Sequence, residues 1–198
     1  MTWQKLSVKT NSSSESITLP TFGAKKFIQI LANLQNASSD DAGLQINGET
    51  GTGITSNAFR YSLNGGADGT GTSGKSLPIQ ISAIDTFFLS VLYGINIGSE
   101  EKLLITFCVE QGTAGAGNAP TRDETVSKST LSAQITDVLV SDSDGNQNSF
   151  AIGSNLSALG TDGGEVNYKI QDGAVFEETD TNKHYIYSST TGLWTLIT

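Results

Sequence analysis

The chain has 198 residues, with 11 Lys and Arg against 20 Asp and Glu, a formal net charge of −9, one His and one Cys. That balance excludes a phosphate-backbone binder, which needs clustered cations to displace counterions, and a lone cysteine excludes an internal disulfide framework. Hydrophobic residues make up 36%, enough for a core, and no run reaches the roughly 18 apolar residues of a membrane-spanning helix.

In chain order, Trp3–Lys9 places Leu6 and Val8 two apart behind an aromatic and reads as a first strand. Asn11–Ser14 is a polar turn, and Ser16–Leu19 leads into a strand over Lys26–Gln35 that contains FIQILANL. The doublet Lys25–Lys26 reads as a solvated strand entrance. After a loop at Asn36–Asp41 come short strands at Leu44–Asn47 and Phe59–Leu63, enclosing the Gly/Thr-rich stretch Gly48–Thr55. Asn64–Lys75 (NGGADGTGTSGK) has no large apolar side chain and reads as the longest loop.

Leu77–Ile81, Phe87–Ile97 and Lys102–Glu110 follow as strands, with Gly98–Glu101 a tight turn between the last two. Gln111–Pro120 is a second Gly-rich loop. The one stretch read as a helical turn is Arg122–Ser129. Leu131–Val140 reads as a strand with Leu131, Ala133 and Ile135 on one face. Asp142–Asn148 is a turn, and Ser149–Ile152 and Asn155–Leu159 complete the set. About eight to ten short strands at this spacing predict an all-β chain built as an antiparallel sandwich or barrel. The sandwich is expected over residues 1–162. After the break at Gly160–Glu165, residues 163–198 read as a small C-terminal β-meander with strands at Asn167–Ile170, His184–Tyr187 and Leu193–Ile197. Its turns fall at Asp180–Asn182 and Thr190–Gly192. So small a meander is marginal alone and is expected to pack on the main domain or on a neighbouring subunit.

The motifs that suggest chemistry each have a plainer reading. Gly69–Ser76 (GTGTSGKS) matches G-x-x-x-x-G-K-[ST], but a phosphate cradle needs a buried strand before it and a helix after it. Here polar and small residues precede it and Pro78 stands where the helix would start, so Lys75 is read as a loop residue. Asp142, Asp144, Asn146 and Asn148 alternate like the start of a calcium loop. The EF-hand positions for Gly and the bidentate Glu hold Gln147 and Gly153 instead, so a plain turn is expected and no metal. His184 has no second His to work with. Glu177 and Glu178 are adjacent in a strand and point to opposite faces. Cys108, flanked by apolar residues, reads as a buried thiol. No catalytic set and no cofactor site emerges, and the expectation is a protein that is not an enzyme. The aromatics Trp3, Phe59, Tyr61, Phe87, Phe88, Tyr93, Tyr185, Tyr187 and Trp194 offer the material for a sugar-stacking platform, with core or subunit contact as the default. Met1–Thr10 lacks the basic start and apolar centre of a signal peptide, so synthesis and retention in a reducing cytoplasm are expected unless the protein leaves in a particle.

Several stretches are similar to a known group. Leu44–Gly66 (LQINGETGTGITSNAFRYSLNGG) resembles the F-N-G-D-T-G-x-N-Y-x-x-R pattern of β-sandwich proteins of tailed viruses, with Glu49 where that pattern has Asp. Glu101–Gln111, Asn118–Ser129 and Phe150–Asp162 resemble further parts of the same domain. The segment DGAVFEETDTNKHYIYSSTTGLWTLIT is similar to a tail module of phage structural proteins. The resemblance implies a jelly-roll-like fold and a virion component made in the host cytoplasm. It leaves the place in the particle open; the acidic, Cys-poor, strand-rich chain without a catalytic set points first to a capsid decoration (cement) protein, expected as a homotrimer whose partners are the major capsid protein and its own copies. The alternative is a tail or fibre protein that binds a host-surface glycan through Asn64–Lys75 and Gln111–Pro120. Neither form involves nucleic acid or a membrane.

Overall fold

The structure is a computed structural model that describes residues 2–35, 41–48, 57–73, 77–80, 87–113, 115–142, 150–163, 172–178, 183–188, 190–191 and 193–197. The described residues contain strands and turns and no helix. They divide into two compact units, Thr2–Gly163 and Gly164–Thr198.

The larger unit holds β1 (Gln4–Thr10), β2 (Ile17–Thr18), β3 (Phe27–Gln35), β4 (Ala42–Ile46), β5 (Asn57–Leu63), β6 (Gly69–Ser73), β7 (Leu77–Pro78), β8 (Phe87–Ile95), β9 (Lys102–Glu110), β10 (Thr121–Ser129), β11 (Val138–Asp142) and β12 (Asn155–Thr161). One sheet runs β1-β12-β3-β8-β9-β10-β5-β6, and the other runs β2-β11-β4-β7. All pairings are antiparallel. The first four strands pair with four later ones in reverse order: β1 with β12, β2 with β11, β3 with β8, and β4 with β7. That is a long hairpin rolled into a two-sheet sandwich, the jelly roll. Two hairpin excursions, β5–β6 between β4 and β7 and β9–β10 between β8 and β11, extend the larger sheet beyond the roll.

The core follows from alternation. β3 turns Ile28, Ile30, Ala32 and Leu34 inward, and they meet Leu44 and Ile46 of β4 and Val138 and Val140 of β11 in one buried cluster. Phe88 and Phe150 meet edge-on within it, ring centres 6.4 Å apart. Near one end of the roll, Lys25 Nζ pairs with Asp162 at 2.8 Å and the Lys26 amide donates to the same carboxylate. These contacts hold the Asp162 carboxyl below its ordinary range.

Three expectations are corrected. Gly69–Ser73, read as loop, is the edge strand β6. Asn64 and Gly65 both adopt positive φ, 53° and 74°, and Gly66 N–H closes a 2.9 Å bond to Leu63 C=O, the two-residue turn that suits strand twist. Gly69 and Gly71 then lie opposite Tyr61 and Phe59, whose rings cover the space their side chains would fill. Thr121–Ser129, read in part as a helical turn, is strand β10, in full register with β9 and β5. Leu131–Val140, read as one strand, is strand only from Val138 onward; residues 131–137 are irregular, because side chains take their backbone groups. Asn96 bonds Ile135 at both N–H and C=O, and Asn47 Oδ1 accepts from Thr136 and Asp137.

The smaller unit is the antiparallel meander β13 (Val175–Glu178), β14 (Lys183–Ser188) and β15 (Leu193–Ile197). The strand expected at Asn167–Ile170 lies outside the described residues, and β13, which contains the Glu177–Glu178 pair read as adjacent strand residues, is an additional strand of the meander.

Candidate functional site

β8 (FFLSVLYGI) is apolar at almost every position, the pattern of a strand covered on both faces. Phe88 and Leu92 enter the core, while Phe87, Leu89, Tyr93 and Ile95 point outward. β9 goes further and inverts the usual rule. Its buried positions are Lys102, Leu104, Thr106, Cys108 and Glu110, and its exposed ones are Leu103, Ile105, Phe107 and Val109. The next strand repeats the inversion, with Asp123, Thr125, Ser127 and Ser129 buried and Val126 exposed.

Register makes these outward side chains one surface. Leu89 lies across from Val109, Val91 from Phe107, Tyr93 from Ile105, and Ile105 from Val126. Phe87, Leu89, Tyr93, Ile95, Leu103, Ile105, Phe107, Val109 and Val126 are each 37–51% exposed. Scaled by ordinary side-chain areas, they present on the order of 900 Å² of apolar surface, above the roughly 300–600 Å² of the largest patch on a typical monomer.

The rim is polar and electrically closed. On the β3 side, Gln29 donates to the Tyr93 hydroxyl at 3.0 Å. On the β10 side, Arg122 pairs with Glu124 at 3.5 Å, Lys128 with Glu101 at 3.3 Å and Arg60 with Asp68 at 3.2 Å. Between the latter pair and the apolar stripe lies a groove of about 320 Å³ lined by Arg60, Asp68, Ile105, Phe107, Glu124 and Val126. It has the size to receive a protruding side chain.

Beneath this face the polar side chains of β9 are held individually. Lys102 is fully buried, and its ammonium donates to Ile97 C=O at 2.7 Å, to Ser132 C=O at 3.3 Å and to Glu100 C=O. Burial lowers its pKa, against the opposing pull of Glu100. Cys108 is buried as expected, its thiol pushed up to about 12, chiefly by burial.

The residues weighed for chemistry are scattered. Gly69–Ser73 of the Walker-like motif is extended strand and Leu77–Pro78 is strand again, so the described residues around it form no strand–loop–helix cradle; Lys75 itself lies outside the described residues. The turn from Asp142 to Asn148 lies beyond them except for the backbone of Asp142. His184 is an exposed cross-strand neighbour of Glu177, 3.7 Å away. The aromatics divide: Phe88 is core, Phe87 and Tyr93 join the apolar face, and Phe59 and Tyr61 cover the β6 glycines. Tyr185, Tyr187 and Trp194 gather on the meander with Phe176, ring centres 5.3–6.2 Å apart. Sequence reasoning recognised apolar strands but not which face they exposed; the signal was the alternation within KLLITFCVE, whose more apolar half points outward.

Comparison with protein-family models, curated proteins and solved structures finds no match for this chain.

Proposed function

We propose that this protein is a non-enzymatic structural protein that assembles with copies of itself through the outer face of β8, β9 and β10. The carrying observation is the inversion of β9, which leaves some 900 Å² of contiguous apolar surface in water, close to the roughly 800 Å² that each partner contributes to a stable interface. A second copy is the occupant that fits best. Two chains of net charge −9 repel unless they meet where charge is absent or internally paired, and this face is apolar at its centre with ion pairs at its rim. The jelly roll and the resemblance of Leu44–Gly66 and the segments after it support placing the assembly in a virion. There it acts as a capsid decoration protein, a trimer on the shell formed by the major capsid protein.

The test adds purified protein to expanded capsids that lack it. Co-sedimentation at saturating, near-stoichiometric copy number is expected, together with a trimer's mass in light scattering. A monomer at high concentration that leaves capsids bare overturns the proposal.

A second reading, a tail or fibre protein binding a host-surface glycan, is favoured by the meander. There Phe176, Tyr185, Tyr187 and Trp194 share one face by cross-strand register, with Phe176 and Trp194 exposed. Glycan-array binding lost in Trp194→Ala supports it, and a blank array removes it.

A further inference from the structure

The inner face of the extended sheet holds a buried cluster that neither assembly nor sugar binding uses. Glu110, the last residue of β9, is fully buried, and neither of its carboxylate oxygens closes a hydrogen bond of good geometry, although the Gln80 amide and the Asp123 carboxyl lie against it. Two residues back on the same face is Cys108, and directly across the ladder from Cys108 is Asp123 of β10; both are buried. The Cys108 sulfur and one oxygen from each carboxylate lie within 4.8 Å of one another. Asp41, beside the start of β4, adds a third carboxylate near Glu110, and the buried Gln80 amide lies against Glu110. Among the described residues no ion pair reaches Glu110.

Two carboxylates taken out of water together require a compensating positive charge, either a shared proton or a cation. A proton between Glu110 and Asp123 engages one oxygen of Glu110 and leaves the other to the Gln80 amide, with no positive charge beside it. A cation draws on both carboxylates and gives the neighbouring thiol a role as well. We propose that Glu110, Asp123 and Cys108 form a buried binding site for a divalent metal ion of the zinc class.

The third donor decides the class. Magnesium and calcium take oxygen ligands, whereas zinc accepts mixed thiolate and carboxylate sets. Zinc–ligand lengths of about 2.0–2.3 Å separate tetrahedral donors by less than 4 Å, within the cluster's span. The fourth position falls to Asp41 or to water. Binding must expel the proton of the Cys108 thiol and any proton on Glu110, so affinity rises with pH. The ion would brace β9 against β10 directly beneath Phe107 and Val109, and the site stands whether or not that outer face self-associates.

The experiment uses the full chain, stripped with chelator and dialysed, then titrated calorimetrically with Zn²⁺ and, in a parallel arm, Ca²⁺. Metal analysis and thermal unfolding accompany both. One zinc per chain is expected, with proton release and a raised unfolding temperature. Glu110→Gln, which keeps the shape and removes the charge, lowers affinity by more than about a hundredfold, beyond what changes outside the ligand shell produce; Cys108→Ser also weakens it. Asp123→Asn carries the same test if Glu110→Gln fails to fold. No zinc bound by folded wild type, zinc binding unchanged in Glu110→Gln, or calcium bound in preference and indifferent to Cys108→Ser each overturns the proposal.

Discussion

Phe107 sits in the middle of the apolar face, across from Val91 on one side and Glu124 on the other, with 47% of its surface in water. Replacing it with threonine puts a β-branched strand former in its place and adds no charge. The phenyl ring exposes about 100 Å², which at about 25 cal/mol per Å² is worth about 2.5 kcal/mol when covered by a partner. Allowing for what threonine still covers, Phe107→Thr weakens self-association by about 2 kcal/mol per face, or about thirtyfold. The monomer loses only a cross-strand contact, about 0.2–1 kcal/mol, because the ring does not enter the core. Val8→Thr is the matched control: Val8 is 45% exposed on β1, separated from β8 by β12 and β3. Sedimentation velocity over a concentration series gives the association constants, and denaturant unfolding of dilute protein gives monomer stability. If Phe107→Thr associates within about threefold of wild type, or Val8→Thr weakens association equally, the apolar face is not the interface and the reasoning fails.

Two further outcomes follow from the same structure. Gly71→Val should stabilise an ordinary strand, yet here a Cβ would stand 2.5 Å from the Phe59 ring, so a loss of about 1–3 kcal/mol is expected, and a gain in the denaturant midpoint would refute it. With metal chelated, the Glu110 carboxyl is pushed up to about 7 from 4.5, first by burial and then by Asp123 and Asp41, against the opposing effect of Gln80, with the Cys108 thiol also adjacent. The unfolded chain therefore releases this proton first, so the stability tied to it is present below pH 4.5 and drains as pH rises through 7. Wild type should lose stability relative to Glu110→Gln between pH 5 and pH 8, and parallel pH profiles would count against a buried, protonated Glu110.

What was legible in the sequence depended on where the backbone groups found partners. β9 and β15 emerge with the bounds read from KLLITFCVE and LWTLI, since continuous apolar runs between turns leave little choice. β6 was missed because its strand character comes from rings on β5, not from its own glycines and threonines. β10 was missed because its charges and hydroxyls sit on both faces and only its neighbours' register makes it a strand. Leu131, Ala133 and Ile135 alternate as a strand should, but the side chains of Asn96 and Asn47 replace the ladder there. Asp123 stands beside Cys108 and Glu110 only through the β9–β10 register, so no spacing along the chain announces the cluster.

The inverted strand raises the question of what holds it that way round. A slip of one residue would turn Leu103, Ile105, Phe107 and Val109 inward and put Lys102 and Glu110 in water, which hydrophobic burial alone favours. Lys102 opposes that slip. Its ammonium is fixed to the carbonyls of Ile97 and Glu100 in the turn before β9 and of Ser132 in the irregular segment, an arrangement that exists only when position 102 faces inward. Lys102→Met keeps the stem and removes the grip, leaving three carbonyls to find other donors at a cost of about 2–4 kcal/mol. The amides of β9 should then exchange faster than those of β3, and self-association should weaken although no residue of the outer face has changed. Unaltered β9 protection together with unaltered association in Lys102→Met would mean that register is set elsewhere, by the β8–β9 and β9–β10 ladders alone.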